Sequence, residues 1–431
     1  MNVSEKSLKP CCPHEPGDAF GRACPHVFLE PDDEHNIAFT EQGITYDLVC
    51  AKCAHFLEEE KRDFVYLCEM CFYFIEGTGG HEENIFGKPQ IRERETQLQF
   101  THRMVTLQGW GNRKLLCLQP ENDVTGSQWI ALAATGELFR LDFDQNTATS
   151  LMQLPDECVD LNQEVALYLS SKSKFAAVVN VKGEKGCVVD LGNKRVTMSL
   201  YRGDYHNKHC TFPIAFFESD SRILLVHGTT WNRLDISDPQ TGEILTKREQ
   251  PVYAENKPSE HYLDYFHCGL TISPDNQWIV DNGWVWAPVG IVRSWSLQQW
   301  ISSNVWESED GNSVRDLCNR NYFWDGPCCW INERTLAVWG FGGDDEFMIP
   351  AVQLFDLESG KRTRWFAGPQ GELTFDKYLF STSQEYGTSV WDIETGERLH
   401  HAKDFQFVSY HRGAKQFISY ESSGHLQISC L

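Results

Sequence analysis

Short apolar runs separated by polar turns recur along most of the chain. Trp129-Ile-Ala-Leu-Ala, Phe175-Ala-Ala-Val-Val, Ile223-Leu-Leu-Val, Trp278-Ile-Val, Leu336-Ala-Val-Trp339, Tyr378-Leu-Phe and Phe417-Ile-Ser read as buried strands. A second theme sits between them: a strand ending in a bulky residue, then Asp, then a polar turn with Gly. Its best copy is Ser389-Val-Trp391-Asp392-Ile-Glu-Thr-Gly396. Others end at Phe355-Asp356, Leu234-Asp235, Leu141-Asp142 and Val189-Asp190, and Trp295-Ser296-Leu297 is a degenerate sixth. The Asp-to-Gly stretch is turn chemistry, with Gly supplying positive φ.

The copies lie about 36–61 residues apart, which brackets the period of propeller blades. The Asp theme predicts the third strand of a four-stranded blade, and the apolar runs are its companion strands. The seven apolar runs predict a mainly β, seven-bladed β-propeller over residues 101–431, about 47 residues per blade, with six and eight as the neighbouring counts. The last unit, 405–431, is short, so its sheet is expected to borrow a strand from the 104–118 stretch, which protects both free edges.

These repeats resemble the WD40 family, with most copies degenerate. Trp391-Asp392 is the Trp-Asp dipeptide at the repeat position, Trp324-Asp325 falls in an insertion, and Ser273-Pro-Asp-Asn resembles the Ser-Pro-Asp-Gly turn of that family. Tyr262-Leu-Asp-Tyr-Phe-His through Asn282-Gly-Trp-Val-Trp-Ala-Pro is similar to a group of bacterial WD40-like proteins with no assigned activity, so the resemblance implies a fold and little more.

The first 95 residues read differently. Seven of the 16 cysteines fall within the first 71 positions. Cys50-Ala-Lys-Cys53, a gap of fourteen residues, and Cys68-Glu-Met-Cys71 form two Cys-x-x-Cys knuckles at zinc-site spacing. Such knuckles bring four sulfurs to one Zn²⁺. Upstream, Cys12-Pro-His14 and Cys24-Pro-His26 repeat a chelating pair and are candidates for a second zinc. The expected organisation is therefore a small zinc-binding module at 1–95, a polar connection near 87–99, and the propeller. The order Cys24, His26, Cys50, Cys53, Cys68, Cys71 and a later His81 resembles the zinc finger of ubiquitin-specific proteases. The resemblance implies recognition of a ubiquitin-like C-terminal tail. It is partial: the next expected cysteine is replaced by Phe72-Tyr-Phe-Ile.

Charge narrows the partner. The net charge is −23, opposite to the basic footprint of a nucleic-acid binder and unfavourable at an anionic membrane. Residues 1–20 hold no apolar signal segment, and no apolar run approaches the ~20 residues of a membrane span. A cytoplasmic protein is therefore expected, or a nuclear one in a eukaryote, and in that reducing setting the 16 cysteines are not expected to form a disulfide framework.

Nine of the 14 tryptophans lie between Trp278 and Trp339. Trp284, Trp286, Trp324, Asp325 and Trp330 fall in aromatic insertions and are the candidate partner-binding residues, since aromatic loops on a rigid scaffold are typical interface anchors. Two histidine groups, His206/His209 and His261/His267, stand at blade entries; converging on the channel mouth they would make a metal or hydrolytic centre. Motifs for hydrolysis or nucleotide binding are absent from the sequence. The expected function is a non-enzymatic interaction scaffold with a protein partner. The alternatives are a propeller hydrolase or lactonase with a channel metal, and a reader of a ubiquitin-like tail.

Overall fold

The computed structural model describes residues 21–24, 26–27, 36–39, 46–50, 65–67, 91–123, 125–249, 251, 260–286, 288–345, 348–420 and 426–431. The chain divides into two compact units: residues 1–92 with 365–368, and residues 93–364 with 369–431.

In the first unit, four short strands form one sheet. Gly21–Ala23 lies between a parallel neighbour, Tyr46–Val49, and an antiparallel one, Val65–Leu67; Asn36–Phe39 borders the sheet beside Tyr46–Val49. Ala23, Leu48, Val49 and Leu67 are fully buried.

The second unit is a seven-bladed propeller. Blade one uses Leu115–Pro120, Gln128–Ala133, Glu137–Asp142 and Thr147–Gln153, in that order. Blade two follows with Val165–Leu169, Phe175–Asn180, Lys185–Asp190 and Arg195–Tyr201. Blade three has three strands, Ile214–Ser219, Arg222–Thr230 and Arg233–Ser237. Blade four comprises Leu270–Ile272, Trp278–Val285, Val289–Ser296 and Arg315–Asn321, with two short helices, α1 (Leu297–Ser302) and α2 (Glu307–Asp310), before its last strand. Blade five is Cys328–Trp330, Thr335–Phe341, Ile349–Asp356 and Lys361–Ala367, and blade six is Glu372–Phe375, Leu379–Ser383, Gly387–Trp391 and Arg398–Ala402. Blade seven joins Ser409–His411, Gln416–Tyr420 and Leu426–Cys430 to Thr101–Val105.

Every expected apolar run falls in a second strand; five of the six Asp-theme copies close third strands, and Leu234-Asp235 lies within Arg233–Ser237. The second strands each carry an apolar run because both faces are buried there, each against a different neighbour. In blade one, Trp129, Ala131 and Ala133 pack toward blade seven while Ile130 and Leu132 pack toward blade two. In blade two, Ala176 and Val178 face blade one while Phe175, Ala177 and Val179 face blade three. The core is thus a ring of inter-blade clusters.

The closing strand differs in detail from expectation. It is Thr101–Val105; the 104–118 stretch is divided, and its later half is the first strand of blade one. The polar connection ends on the propeller, where the Arg94 N–H donates to the Arg398 carbonyl and Thr96 Oγ1 to the Leu399 carbonyl at 2.7 Å.

The repeated Asp has a local cause. Asp142, Asp190, Asp356 and Asp392 each accept backbone N–H groups two or three residues ahead, closing the turn into the fourth strand. Blade three departs from this pattern. Its turn carboxylate is Asp238, which accepts from Gln240 N and Thr241 N, and Asp235 is buried instead. Asp235 pairs with Arg233 at 2.8 Å and Arg248 at 2.7 Å, and Arg248 reaches Glu309 of α2. In blade four, Ser296 replaces the Asp and caps α1, accepting from Gln299 N. Among the described residues, no helix is long and apolar enough to cross a membrane.

Removing one partner from a buried ionic network leaves an uncompensated charge. Asp235→Ala is expected to lower unfolding stability by about 3–5 kcal/mol, read as a fall in the denaturant midpoint.

Candidate functional site

Strands alternate in direction, so the loops joining second to third strands and those joining one blade to the next emerge on the same face of the propeller. On that face, five loops of blades three, four and five meet. Residues 202–213 enter blade three and 231–232 lie within it. Residues 261–269 enter blade four, whose inner turn holds Trp286, and 322–327 enter blade five.

Their aromatic side chains form one stack. Trp324 lies parallel to Trp284 at 5.0 Å, Trp284 on Phe266 at 4.1 Å, and Phe266 on Tyr205 at 5.8 Å. Trp231 packs on Phe266 at 4.6 Å. Trp286 and His206 stand edge-on against this stack and against each other. The base is dry: Phe266 and Trp284 are buried with Cys210 and Cys268. The outside is open: Trp286 and Tyr205 are each 52% exposed, and Tyr322 is 61% exposed.

Backbone bonds hold the loops. Arg202 is buried and donates to the carbonyls of Gly183, Asn207, Cys210 and Thr211, which fixes the first loop around its guanidinium. Asp325, at φ +58°, accepts from Thr211 N at 2.8 Å and Gly269 N at 2.9 Å, so one carboxylate ties together the loops entering blades three, four and five. Trp324 Nε1 donates to the His209 carbonyl and Trp284 Nε1 to Cys210 Sγ. The neighbouring Cys268 thiol, with the indole bond, holds the Cys210 thiol below its ordinary value, while burial drives Cys268 well above. Two strand glycines let the loops approach. A Cβ at Gly290 falls on the carbonyl oxygen of Phe323, and one at Gly283 on that of Phe266.

Inward of this face, the first strands line the propeller axis. Burial pushes Cys117 and Cys328 up to about 12, and burial together with Asp325 does the same to Tyr168. Desolvation, then the Asp325 charge, raises Glu372 on the first strand of blade six.

The sequence-derived residues distribute unevenly. Trp284, Trp286, Trp324 and Asp325 converge as described, with Trp284 serving as a buried support and Trp286 as the exposed edge. Trp330 is elsewhere. It is buried between blades four and five, with Nε1 bonded to Thr271 Oγ1 at 2.9 Å, and so belongs to the core rather than the face. The histidine groups do not converge. His206 joins the aromatic stack, with His209 5.8 Å away. His261 stacks on Trp306 at 4.5 Å and bonds Asp310, and His267 is buried against Asp281 at 2.6 Å. Tyr205, Trp231 and Phe266 were not anticipated. Tyr205 and Phe266 are adjacent to His206 and His267 in the strings that drew attention for their histidines.

In the first unit, Cys24, His26 and Cys50 place their ligand atoms within 4.8 Å of one another. The parallel pairing of Gly21–Ala23 with Tyr46–Val49 causes this, because Cys24 and Cys50 are the residues that leave the two adjacent strand ends. Cys50 Sγ lies 3.7 Å from His26 Nδ1, and Cys50 N donates to Cys24 Sγ at 3.5 Å. Ligand atoms bonded at ~2.0–2.3 Å around a tetrahedral ion stand ~3.5–3.8 Å apart, so this donor set fits a metal that takes sulfur and nitrogen. The grouping crosses the expected one: the first cysteine of the Cys50/Cys53 knuckle joins the Cys24-Pro-His26 pair. Cys12, His14, Cys53, Cys68 and Cys71 lie outside the described residues.

No family model matches the chain, and no curated protein is similar to it in sequence.

Two outcomes check this geometry. Gly290→Ala is expected to displace Trp324 and change the near-ultraviolet circular dichroism of the tryptophans, at a stability cost of about 1–3 kcal/mol. Cys24→Ser and Cys50→Ser are each expected to lower by one the metal equivalents carried by the 431-residue chain, measured by plasma mass spectrometry.

Proposed function

We infer that this chain is a non-catalytic interaction protein that engages a protein partner through the aromatic face of its propeller. The observation that carries the inference is the contrast within the stack. Trp286 and Tyr205 are half exposed, while Phe266 and Trp284 beneath them are buried. Such a surface is already ordered, so binding costs little side-chain entropy, and large aromatics over a dry base are the usual energetic centres of protein interfaces. The charge of −23 favours protein over nucleic acid as the partner. The Asp-theme copies on third strands support assignment of the propeller to the WD40 type. The free thiols among the described cysteines suit a reducing, cytoplasmic setting.

The first unit is a structural zinc module in this reading. Two sulfurs and an imidazole suit Zn²⁺, and Cys53, Cys68 or Cys71 supplies the remaining ligand by sequence spacing. A module of this size gains its stability largely from the metal.

The test is affinity capture from source-cell lysate with the 431-residue chain and with Trp286→Ala. A specific protein retained by the parent chain and reduced at least ~10-fold by Trp286→Ala is the expected result. Retention that is unchanged in Trp286→Ala and lost in Cys50→Ser would move recognition to the zinc module, where a free ubiquitin-type tail peptide is the first competitor to add.

A further inference from the structure

The edges of the aromatic face are acidic. Asp204 is exposed and immediately precedes Tyr205, and Asp264 is exposed two residues before Phe266. Asp345 is exposed on the loop whose Gly343 carbonyl accepts from Asn321 N, beside Tyr322. The nearby cations are mostly committed. Arg202 is buried among four carbonyls. Arg320 is buried, donating to the Trp339 carbonyl and Asn282 Oδ1. Lys208 of the 202–213 loop and Lys182, next to the Gly183 that Arg202 bonds, are exposed lysines, against the three exposed carboxylates Asp204, Asp264 and Asp345.

An exposed indole with carboxylates at its margin attracts a cation in two ways. The ring face is the negative part of the aromatic quadrupole, and the acidic edge adds a longer-range field. The same arrangement repels an acidic segment and gives a neutral one only the area term. The chain as a whole has the matching sign, at −23.

We propose that the aromatic face takes a positively charged side chain, arginine or lysine in an exposed segment of a protein partner, with the cation against Trp286 and Tyr205 and the flanking basic charge toward Asp204, Asp264 and Asp345. This rests on the face being the partner site and adds the chemistry of what it holds. Arginine is favoured over lysine because its planar, weakly hydrated guanidinium stacks on aromatic rings.

The probe is a random dodecapeptide library, applied to the immobilised 431-residue chain and to its variants, with the retained pools sequenced. The expected pool is enriched in arginine and lysine, and Trp286→Ala lowers that enrichment ~5–10-fold. Trp286→Phe retains most of it, and Asp204→Asn with Asp264→Asn lowers it at low salt more than at high salt. A pool of neutral or acidic peptides that depends on Trp286 would overturn the cationic assignment and leave the face as the partner site. Identical pools from the parent chain and Trp286→Ala would overturn both. Equal thermal midpoints for the variants, expected for an exposed loop residue, exclude misfolding as the cause.

Discussion

The pairing of Thr101–Val105 with Leu426–Cys430 is the interaction on which the propeller depends. Its five-residue register, from Thr101 opposite Cys430 to Val105 opposite Leu426, joins positions more than 300 residues apart in sequence. Each blade buries both of its faces against neighbours, so an open ring would leave two apolar faces and two unpaired edges in water. Closure removes them together. Val105, Leu426 and Ile428 then enter the cluster that holds Trp110 and Trp129, so one strand completes both a ladder and a core. The entropic cost of closing so long a loop grows only with the logarithm of its length, which a full ladder and a packed cluster offset.

A closed ring makes the loops on its face addressable as a surface. The five loops that carry the aromatic stack come from three blades whose relative positions are fixed by the cores beneath. The loops are then fixed to one another by few bonds: the Arg202 guanidinium, the Asp325 carboxylate and two indole donors. The approach also needs the missing side chains of Gly283 and Gly290. The face is consequently rigid where it is buried, and its exposed aromatics are Trp286, Tyr205 and Tyr322.

Much of this was legible in the sequence, and the exceptions have physical causes. Second strands were readable because burial on both sides gives each an apolar run, as in Trp129–Ala133. Third strands were readable because the Asp that closes the following turn is a local requirement. The same Asp signal misled at Asp235, where an ionic network with Arg248 and Glu309 replaced the turn role and Asp238 took it over. First and fourth strands carried no such signature, which is why the closing strand was placed a few residues late. At the candidate site, tryptophan crowding pointed to loops that the structure brings together, but it could not separate Trp330, which fills an inter-blade core, from Trp286, which does not. Tyr205, Trp231 and Phe266 reach the site through three-dimensional convergence of loops distant in sequence. The Cys24, His26 and Cys50 group, which could hold a metal ion, shows the same limit: a parallel strand pair that spacing alone did not reveal brings it together.

We propose that this aromatic face, and not another part of the propeller, meets a protein partner. The most direct measurement is photo-crosslinking in source cells from a benzophenone amino acid placed at position 286, compared with the same probe at position 358, an exposed site on the opposite face of the ring. The account predicts a discrete crosslinked protein from position 286 and none from 358. The same crosslinked species from 358, with nothing from 286, would contradict it.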